Sequence, residues 1–224
     1  MVKFDPATTK GTETRQQIFE AALELFREQG FDATTMQQVA ERAEVAKGAA
    51  YYYFPSKESI IQAYYERVQA RQEEMCAPVF AEKKDLKTRL TIALVSKLDL
   101  AAEDRPVLGV VFRYTGEPDH PLSCLGEGTR AIRERSITVF TEALKAEKLP
   151  ADLAMLLPVV LWALQMGLLV MLFYDTTAGQ KKTRILAAGA LELTLQLLKL
   201  AKLPVLKPVR TKVVGLMRGA ELIG

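Results

Sequence analysis

The sequence is poor in the residues that build metal sites and disulfide frameworks. Its 224 residues include two cysteines, Cys76 and Cys124, and one histidine, His120, with no Cys-x-x-Cys pair. Zinc needs about four Cys, His or carboxylate ligands at suitable spacing, so we expect no metal site and no other cofactor. Two distant cysteines do not indicate a disulfide framework, and the expected compartment is therefore a reducing cytoplasm.

Signals for secretion and for β-strands are also missing. The first residues, MVKFDPATTK, contain no apolar run of signal-peptide length, which argues against export. No segment alternates polar and apolar residues between turn signals, as a half-buried strand does. Hydrophobic residues make up 49% of the chain, which argues against disorder and suits a sizeable buried core. An all-α protein is the prediction.

Charge is unevenly distributed along the chain. The formal net charge is +3, yet residues 1–57 carry seven Lys/Arg against eight Asp/Glu, and residues 181–224 carry nine against two. If the N-terminal part binds nucleic acid, the placement of a few cations must matter more than bulk charge. The basic, apolar tail at 205–224 reads as a further helix on the bundle, or as a contact to DNA or another anionic surface.

Four short helices are predicted near the N-terminus. In the first, about 12–29, Ile18, Ala22, Leu25 and Phe26 share one face, and Gly30 follows as a C-terminal cap. In the second, about 35–43, Thr35 and Gln38 have capping-box spacing. A three-residue turn leads to the third helix, about 47–53, and the fourth runs from about 57 to 75. Two short helices joined by a tight turn indicate a helix-turn-helix. Longer helices are predicted at about 85–103, 107–115, 127–147, 151–174 and 181–202.

The segment VAKGAAYYYFPSKES, residues 45–59, combines adjacent aromatic rings with two lysines and no acid before Glu58. In a helix-turn-helix the second helix enters the DNA major groove, and its first turn reaches bases and phosphates. We predict that Tyr53 and Phe54 pack inward; aromatic core alone is the structural alternative for the whole cluster. The predicted DNA-binding residues are Thr35, Lys47, Gly48, Ala49, Tyr51, Tyr52 and Lys57.

Residues 30–60, GFDATTMQQVAERAEVAKGAAYYYFPSKESI, resemble the DNA-binding domain of the TetR family of transcriptional regulators. The shared positions include Gly30, Thr34, Gly48 and the Tyr-x-Tyr-Phe run that ends at Phe54. Two positions depart from the family pattern. Glu44 stands where the turn usually has glycine, and Ala46 replaces a serine or threonine that would cap the third helix.

The resemblance implies an all-helical homodimer in which a small molecule bound in the C-terminal domain controls DNA binding. Most members are repressors. Binding of the ligand usually releases such a repressor from its palindromic operator. We therefore expect a three-helix helix-turn-helix DNA-binding domain at 1–57. The C-terminal helical bundle, at 58–224, is expected to bind the ligand and to dimerise.

Residues 153–174 form a run of 22 residues without a charge, which meets the length criterion for a membrane span. Pro158, Gln165 and the lack of flanking basic residues argue against a span. A helix that is apolar all round can instead pack against a core on one side and a second subunit on the other. The alternative to the regulator is a membrane-associated helical protein that spans at 153–174. The predicted dimer-interface residues are Leu161, Leu168, Leu186, Leu193 and Leu197.

Polar groups set among apolar residues are candidates for a ligand pocket, since such pockets need a few placed polar groups. The candidates are Arg113, Tyr114, His120, Trp162, Gln165 and Met166. An enzyme that uses His120, Ser123 and Cys124 is a third possibility, but no convincing base, nucleophile and orienting group occur together. We therefore predict a protein that is not an enzyme.

Overall fold

The computed structural model describes residues 9–82, 84–102 and 104–220. These residues form α-helices, turns and short 3-10 segments without any strand, which confirms the all-α prediction. The helices are α1 Thr9–Gln29, α2 Met36–Arg42, α3 Lys47–Tyr53, α4 Lys57–Ala81, α5 Leu86–Ala102, α6 Arg105–Thr115, α7 Arg130–Leu144, α8 Ala151–Tyr174, α9 Lys181–Ala201 and α10 Lys207–Gly219.

The chain divides into two compact units. The first unit contains the residues up to 67 together with 104–130, and the second contains 68–103 and 131–224. Helix α4 therefore contributes its first part to one unit and its second part to the other. The predicted boundary at residue 57 separates a DNA-binding part from a part that binds the ligand and dimerises. It is a functional boundary, and it stays a prediction.

The core of the first unit is built from the apolar face that the sequence predicts for α1. Ile18 and Ala22 are completely buried, and Leu25 and Phe26 are 5% and 2% exposed. Gly30 ends this helix with φ +87°, a left-handed conformation that glycine adopts without steric cost. Its N–H donates to the carbonyl of Phe26 at 3.2 Å. The predicted C-terminal cap is thus confirmed.

Helix α8 covers the uncharged run and belongs to the second unit. By length and composition it could cross a membrane, and 44% of its most apolar window is buried inside the unit. Core helices of soluble proteins pass the same test, so the match alone is weak evidence for a membrane span. Trp162 and Gln165 are both buried on the inward side of α8, as in a core helix.

The basic tail continues as α10, which packs against α8. Arg210 is only 8% exposed, and its Nε lies 2.6 Å from Oδ2 of Asp152 near the start of α8. The same guanidinium donates to the carbonyls of Ala201 and Leu203. This hydrogen-bonded arginine lowers the pKa of the Asp152 carboxyl. The tail is therefore a further helix of the bundle, as one of the two sequence alternatives predicted.

Candidate DNA-binding surface and sensor residues

Helix α2 begins with the predicted capping box. The backbone N–H of Gln38 donates to Oγ1 of Thr35 at 3.2 Å, and the backbone N–H of Thr35 donates to Oε1 of Gln38 at 2.8 Å. Each side chain thus satisfies a backbone amide that the helix itself leaves without a partner. This cap fixes the start of the first helix of the helix-turn-helix.

Helix α3 has one exposed face and one buried face. Lys47, Gly48, Tyr51 and Tyr52 follow the spacing i, i+1, i+4 and i+5, so they lie on the same side of the helix. Tyr51 and Tyr52 are 45% and 52% exposed, which is unusual for rings of this size in a small domain. Together these four residues form the α3 face. It presents a cation, two phenol hydroxyls and, at Gly48, a position without a side chain.

Ala49 needs a correction, because it does not belong to the α3 face. It is 6% exposed and lies with Ala50 and Tyr53 on the opposite, inward side of the helix. Small size at this position serves close packing within the unit. Its side chain is therefore not available to DNA in this arrangement.

Phe54 fixes α3 to the rest of the unit. It is 1% exposed, and its ring stacks on that of Phe19 of α1 with centroids 6.3 Å apart. The Arg15 guanidinium lies 4.8 Å from the centroid of the same ring. Tyr53 is 9% exposed, so the predicted inward packing of both residues is confirmed. The aromatic cluster therefore divides into a buried pair and an exposed pair.

Gly48 has no structural reason to be glycine among the described residues. Its φ is not positive, and a Cβ built on it would meet no described atom within 4 Å. Glycine inside a helix costs about 1 kcal/mol relative to alanine. Despite this cost, α3 has a glycine on its exposed face, beside Lys47 and Tyr52. The missing side chain leaves room for a partner to approach the backbone.

Lys57 occupies a different position from the one the sequence suggested. Its Nζ donates to the carbonyl of Phe31 at 2.6 Å and lies 4.5 Å from the centre of the Phe31 ring. The side chain therefore ties the start of α4 to the loop between α1 and α2. A phosphate contact by Lys57 stays a prediction, and it would have to share the ammonium with this loop.

The two departures from the family pattern lie in the turn before α3. Glu44 has φ +52°, in the left-handed region that disfavours residues with a Cβ. Ala46 is the N-cap of α3 and makes no side-chain cap hydrogen bond. The Val45 N–H donates to the carbonyl of Ala40 at 3.0 Å and closes the turn. The missing cap is a local loss of stability.

Restoring the cap should stabilise the protein. We expect Ala46→Thr to raise the free energy of unfolding by about 1 kcal/mol, because its hydroxyl can accept from a free amide in the first turn of α3. Ala46→Val is the matched control, since valine has the same shape without the hydroxyl. Urea denaturation of both variants measures the difference. Equal stability of the threonine and valine variants would contradict the expected cap.

Three of the predicted ligand residues lie in the first unit, and two of them contact the loop between α1 and α2. Arg113 of α6 forms an ion pair with Asp32, and the Tyr114 hydroxyl donates to Oδ1 of Asp32 at 3.0 Å. His120 stacks on the Tyr114 ring with centroids 4.0 Å apart. Partial burial and the neighbouring Asp32 carboxylate raise the pKa of Tyr114. A cavity of about 330 Å³ lies beside this contact, between α6 and the loop.

The other three predicted ligand residues lie on α8 in the second unit. Gln165 is completely buried and Trp162 is 9% exposed, while Met166 is partly exposed. The Gln165 amide donates to the carbonyl of Ala93 at 2.9 Å and to that of Leu94 at 3.0 Å. Helix α8 is thus joined to α5 through a polar contact inside the core.

A buried polar network near Gln165 was missed by the sequence reasoning. Lys97 of α5 is 7% exposed, and its Nζ donates at 2.7 Å to both Oε1 of Gln69 and Oγ of Ser136. Burial lowers the pKa of Lys97 to about 7. Gln69 and Gln72 of α4 are both completely buried, and the Gln72 amide donates to the carbonyl of Ala93 on α5. Gln69, Gln72 and the buried Cys76 follow the spacing i, i+3 and i+7, so they share one face of α4. This spacing was the available signal.

Two of the predicted dimer residues are not on the surface of the protomer. Leu161 and Leu168 are each 2% exposed and pack inside the second unit. Leu186, Leu193 and Leu197 of α9 are 46%, 55% and 53% exposed. On α8 the exposed stripe consists instead of Val160, Ala163, Gly167, Val170, Met171 and Tyr174.

Helices α2 and α3 and the tight turn between them form a helix-turn-helix. The family model for bacterial regulatory proteins of the tetR family matches residues 18–64, which contain α2, α3 and their supports. The chain therefore carries a TetR-family DNA-binding domain. An uncharacterised helix-turn-helix transcriptional regulator of Bacillus subtilis, YuxN, is 40% identical over 63 residues, covering 26% of this chain and 22% of its own.

The curated relatives share only part of their length with this chain. YuxN matches over 22% of its length, and the fatty acid metabolism regulator of B. subtilis matches over 45%. The relatives compared are transcriptional regulators rather than enzymes. The chain thus spans less than half the length of the curated relatives it matches.

Solved structures share the fold over most of the chain. Thermus thermophilus FadR, a TetR-family repressor in complex with lauroyl-CoA, is 26% identical with a TM-score of 0.56, covering 82% of this chain and 92% of its own. SmeT in complex with triclosan is 22% identical with a TM-score of 0.61, covering 82% and 90%. The second unit thus has the fold of the C-terminal parts of TetR-family proteins.

Proposed function

We propose that the chain is a transcriptional regulator that binds a palindromic operator as a homodimer and releases it when a small molecule binds. The observation that carries the proposal is the α3 face, where Lys47, Gly48, Tyr51 and Tyr52 are exposed together on the second helix of the turn. Lysine and tyrosine donate to phosphates, and the glycine permits close approach of the duplex. The matched TetR domain supports this assignment.

The residue ranges follow from the same proposal. Residues 1–57 bind DNA, and residues 58–224 sense the ligand and dimerise. Repression with ligand-induced release is favoured because T. thermophilus FadR is a repressor in complex with lauroyl-CoA and SmeT is in complex with triclosan. A protein that acts on chromosomal DNA works in the cytoplasm.

Dimerisation is supported by an exposed apolar surface on two helices of the second unit. On α9 the positions 186, 189, 193, 197 and 200 repeat at heptad-like spacing, and α8 exposes a similar stripe from 160 to 174. Gly167 and Gly189 lie in these stripes and leave open space around their backbones. An apolar surface of this kind marks an interaction site, and two copies would form a four-helix interface.

DNase footprinting of the purified protein tests the proposal. The DNA is the region upstream of its own gene and its neighbours, examined over a salt series. We expect a protected, roughly palindromic site. Affinity should fall by about 0.9 log units per log unit of salt for each phosphate contact. A folded dimer that protects no segment there, and selects none from a genomic fragment library, would refute the proposal.

A further inference from the structure

Helices α4, α5 and α8 of the second unit enclose a group of polar side chains in an apolar core. Gln72 of α4 and Gln165 of α8 are both completely buried and face the same turn of α5. Leu94 of α5 and Leu169 of α8 are buried as well, at 1% and 6% exposed. Fully buried glutamines are uncommon, and each needs hydrogen-bond partners for both ends of its amide.

Both glutamines direct their nitrogens at one backbone carbonyl. Nε2 of Gln72 lies 2.8 Å from the Ala93 oxygen, and Nε2 of Gln165 lies 2.9 Å from the same atom. This geometry fixes the orientation of both amides, because the reverse assignment would place an amide oxygen against a carbonyl oxygen. The two Oε1 atoms therefore point away from α5.

Neither of these oxygens has a hydrogen-bond partner within the part of the chain that the structure describes. Oε1 of Gln72 and Oε1 of Gln165 are both shielded from solvent. Leaving a buried acceptor without a donor costs about 1–3 kcal/mol. Two such acceptors beside one carbonyl therefore need two donors that the described residues do not supply.

The charges nearby restrict what can supply those donors. Lys97 lies one helical turn after Ala93, and the Arg135 guanidinium pairs with Glu73 across α4 and α7. When Lys97 is protonated, the three groups Lys97, Arg135 and Glu73 together carry a net charge of +1. A cationic head group would be repelled, whereas a neutral group with N–H or O–H donors meets no such penalty.

We infer that Gln72 and Gln165 bind the head of a neutral, mostly apolar small molecule that presents two hydrogen-bond donors, such as a primary amide. This rests on the proposed function, since the molecule would be the effector of the regulator. The oxygens of Gln72 and Gln165 accept from the two donors. The apolar body of the ligand packs among the leucines and Met166, whose thioether side chain adapts to varied shapes.

A series of probes with one body and a decreasing number of donors tests the inference. The probes are 4-hexylbenzamide with two N–H donors, 4-hexylphenol with one O–H, and 4-hexylanisole with none. Binding is followed through Trp162, the one tryptophan of the chain, which lies one turn before Gln165. We expect affinity to fall about tenfold for each donor removed.

Two substitutions locate the effect. Gln72→Met and Gln165→Met should each remove about one tenfold step from the advantage of the benzamide over the anisole. Gln196→Met, at an exposed position on α9, is the matched control and should change nothing. Thermal melting identifies any variant that fails to fold, and the wild-type probe series remains decisive in that case.

Three results would overturn the inference. Equal binding of the benzamide and the anisole, or binding of neither, would mean that the two oxygens hold internal water only. Tighter binding of lauroyl-CoA that is unaffected by either substitution would show that the protein binds another ligand class away from these two glutamines. Because Trp162 reports binding without DNA, these results are separate from the operator footprint. A protected operator without donor-dependent binding would refute the ligand class alone.

Discussion

Replacing Lys47 or Tyr52 by alanine is expected to weaken operator binding by about 10- to 100-fold each, while the protein remains a folded dimer. Both side chains lie on the α3 face, and a hydrogen bond to a charged phosphate contributes about 1.5–3 kcal/mol. Lys47→Ala should also reduce the salt slope by about one unit, because one phosphate contact is lost. Fluorescence anisotropy with a labelled operator, at several salt concentrations, measures both quantities.

The controls separate chemistry from loss of structure. Tyr52→Phe keeps the ring and removes the hydroxyl, so its affinity should be close to that of the alanine variant if the hydroxyl contacts a phosphate. Lys145→Ala removes an exposed lysine directly after α7 and should leave the salt slope unchanged. Wild-type affinity in both the Lys47 and Tyr52 variants would refute the α3 face as the DNA-binding surface.

A glutamate at Leu193 should convert the dimer into monomers. Leu193 is 55% exposed at the middle of the α9 stripe, so in a four-helix interface it would be buried against the second copy. A charge without a partner at that place costs several kcal/mol and opposes association. Sedimentation velocity should show one chain of 24.9 kDa in place of the dimer. Operator affinity should fall as well, because a palindrome needs two α3 helices.

Leu125→Glu is the control for this experiment. Leu125 is 63% exposed in the loop before α7 and belongs to the first unit, whereas the stripes on α8 and α9 belong to the second. The Leu125→Glu variant should therefore remain dimeric, although it introduces the same charge in place of an exposed leucine. A Leu193→Glu protein that stays dimeric would show that the interface lies elsewhere.

Local signals in the sequence predicted the local structure well. The capping box at Thr35 and the apolar face of α1 formed as expected, because each depends on residues within one or two turns. The end of α4 was predicted near residue 75, yet the helix continues through Pro78 to Ala81. Proline removes one amide donor, and the Glu82 N–H still donates to the Pro78 carbonyl at 3.0 Å.

Long-range partners account for what the sequence could not predict. Arg113 and Asp32 are 81 residues apart in sequence, so nothing near Arg113 indicated that Asp32 would pair with it. Similarly, Gln72 is oriented by the carbonyl of Ala93, 21 residues away on another helix. An exposed or pocket-lining role depends on such contacts, which periodicity along one helix does not reveal.

Gly48 makes one position of the proposed DNA-binding surface independent of the protein's own packing. A methyl group there meets no described atom, and replacing a helical glycine by alanine favours folding by about 1 kcal/mol. Any loss of operator affinity in Gly48 variants therefore measures contact with the duplex, uncomplicated by instability. A library of side chains at position 48 would map the distance between α3 and the groove, and it offers a starting point for altered operator preference.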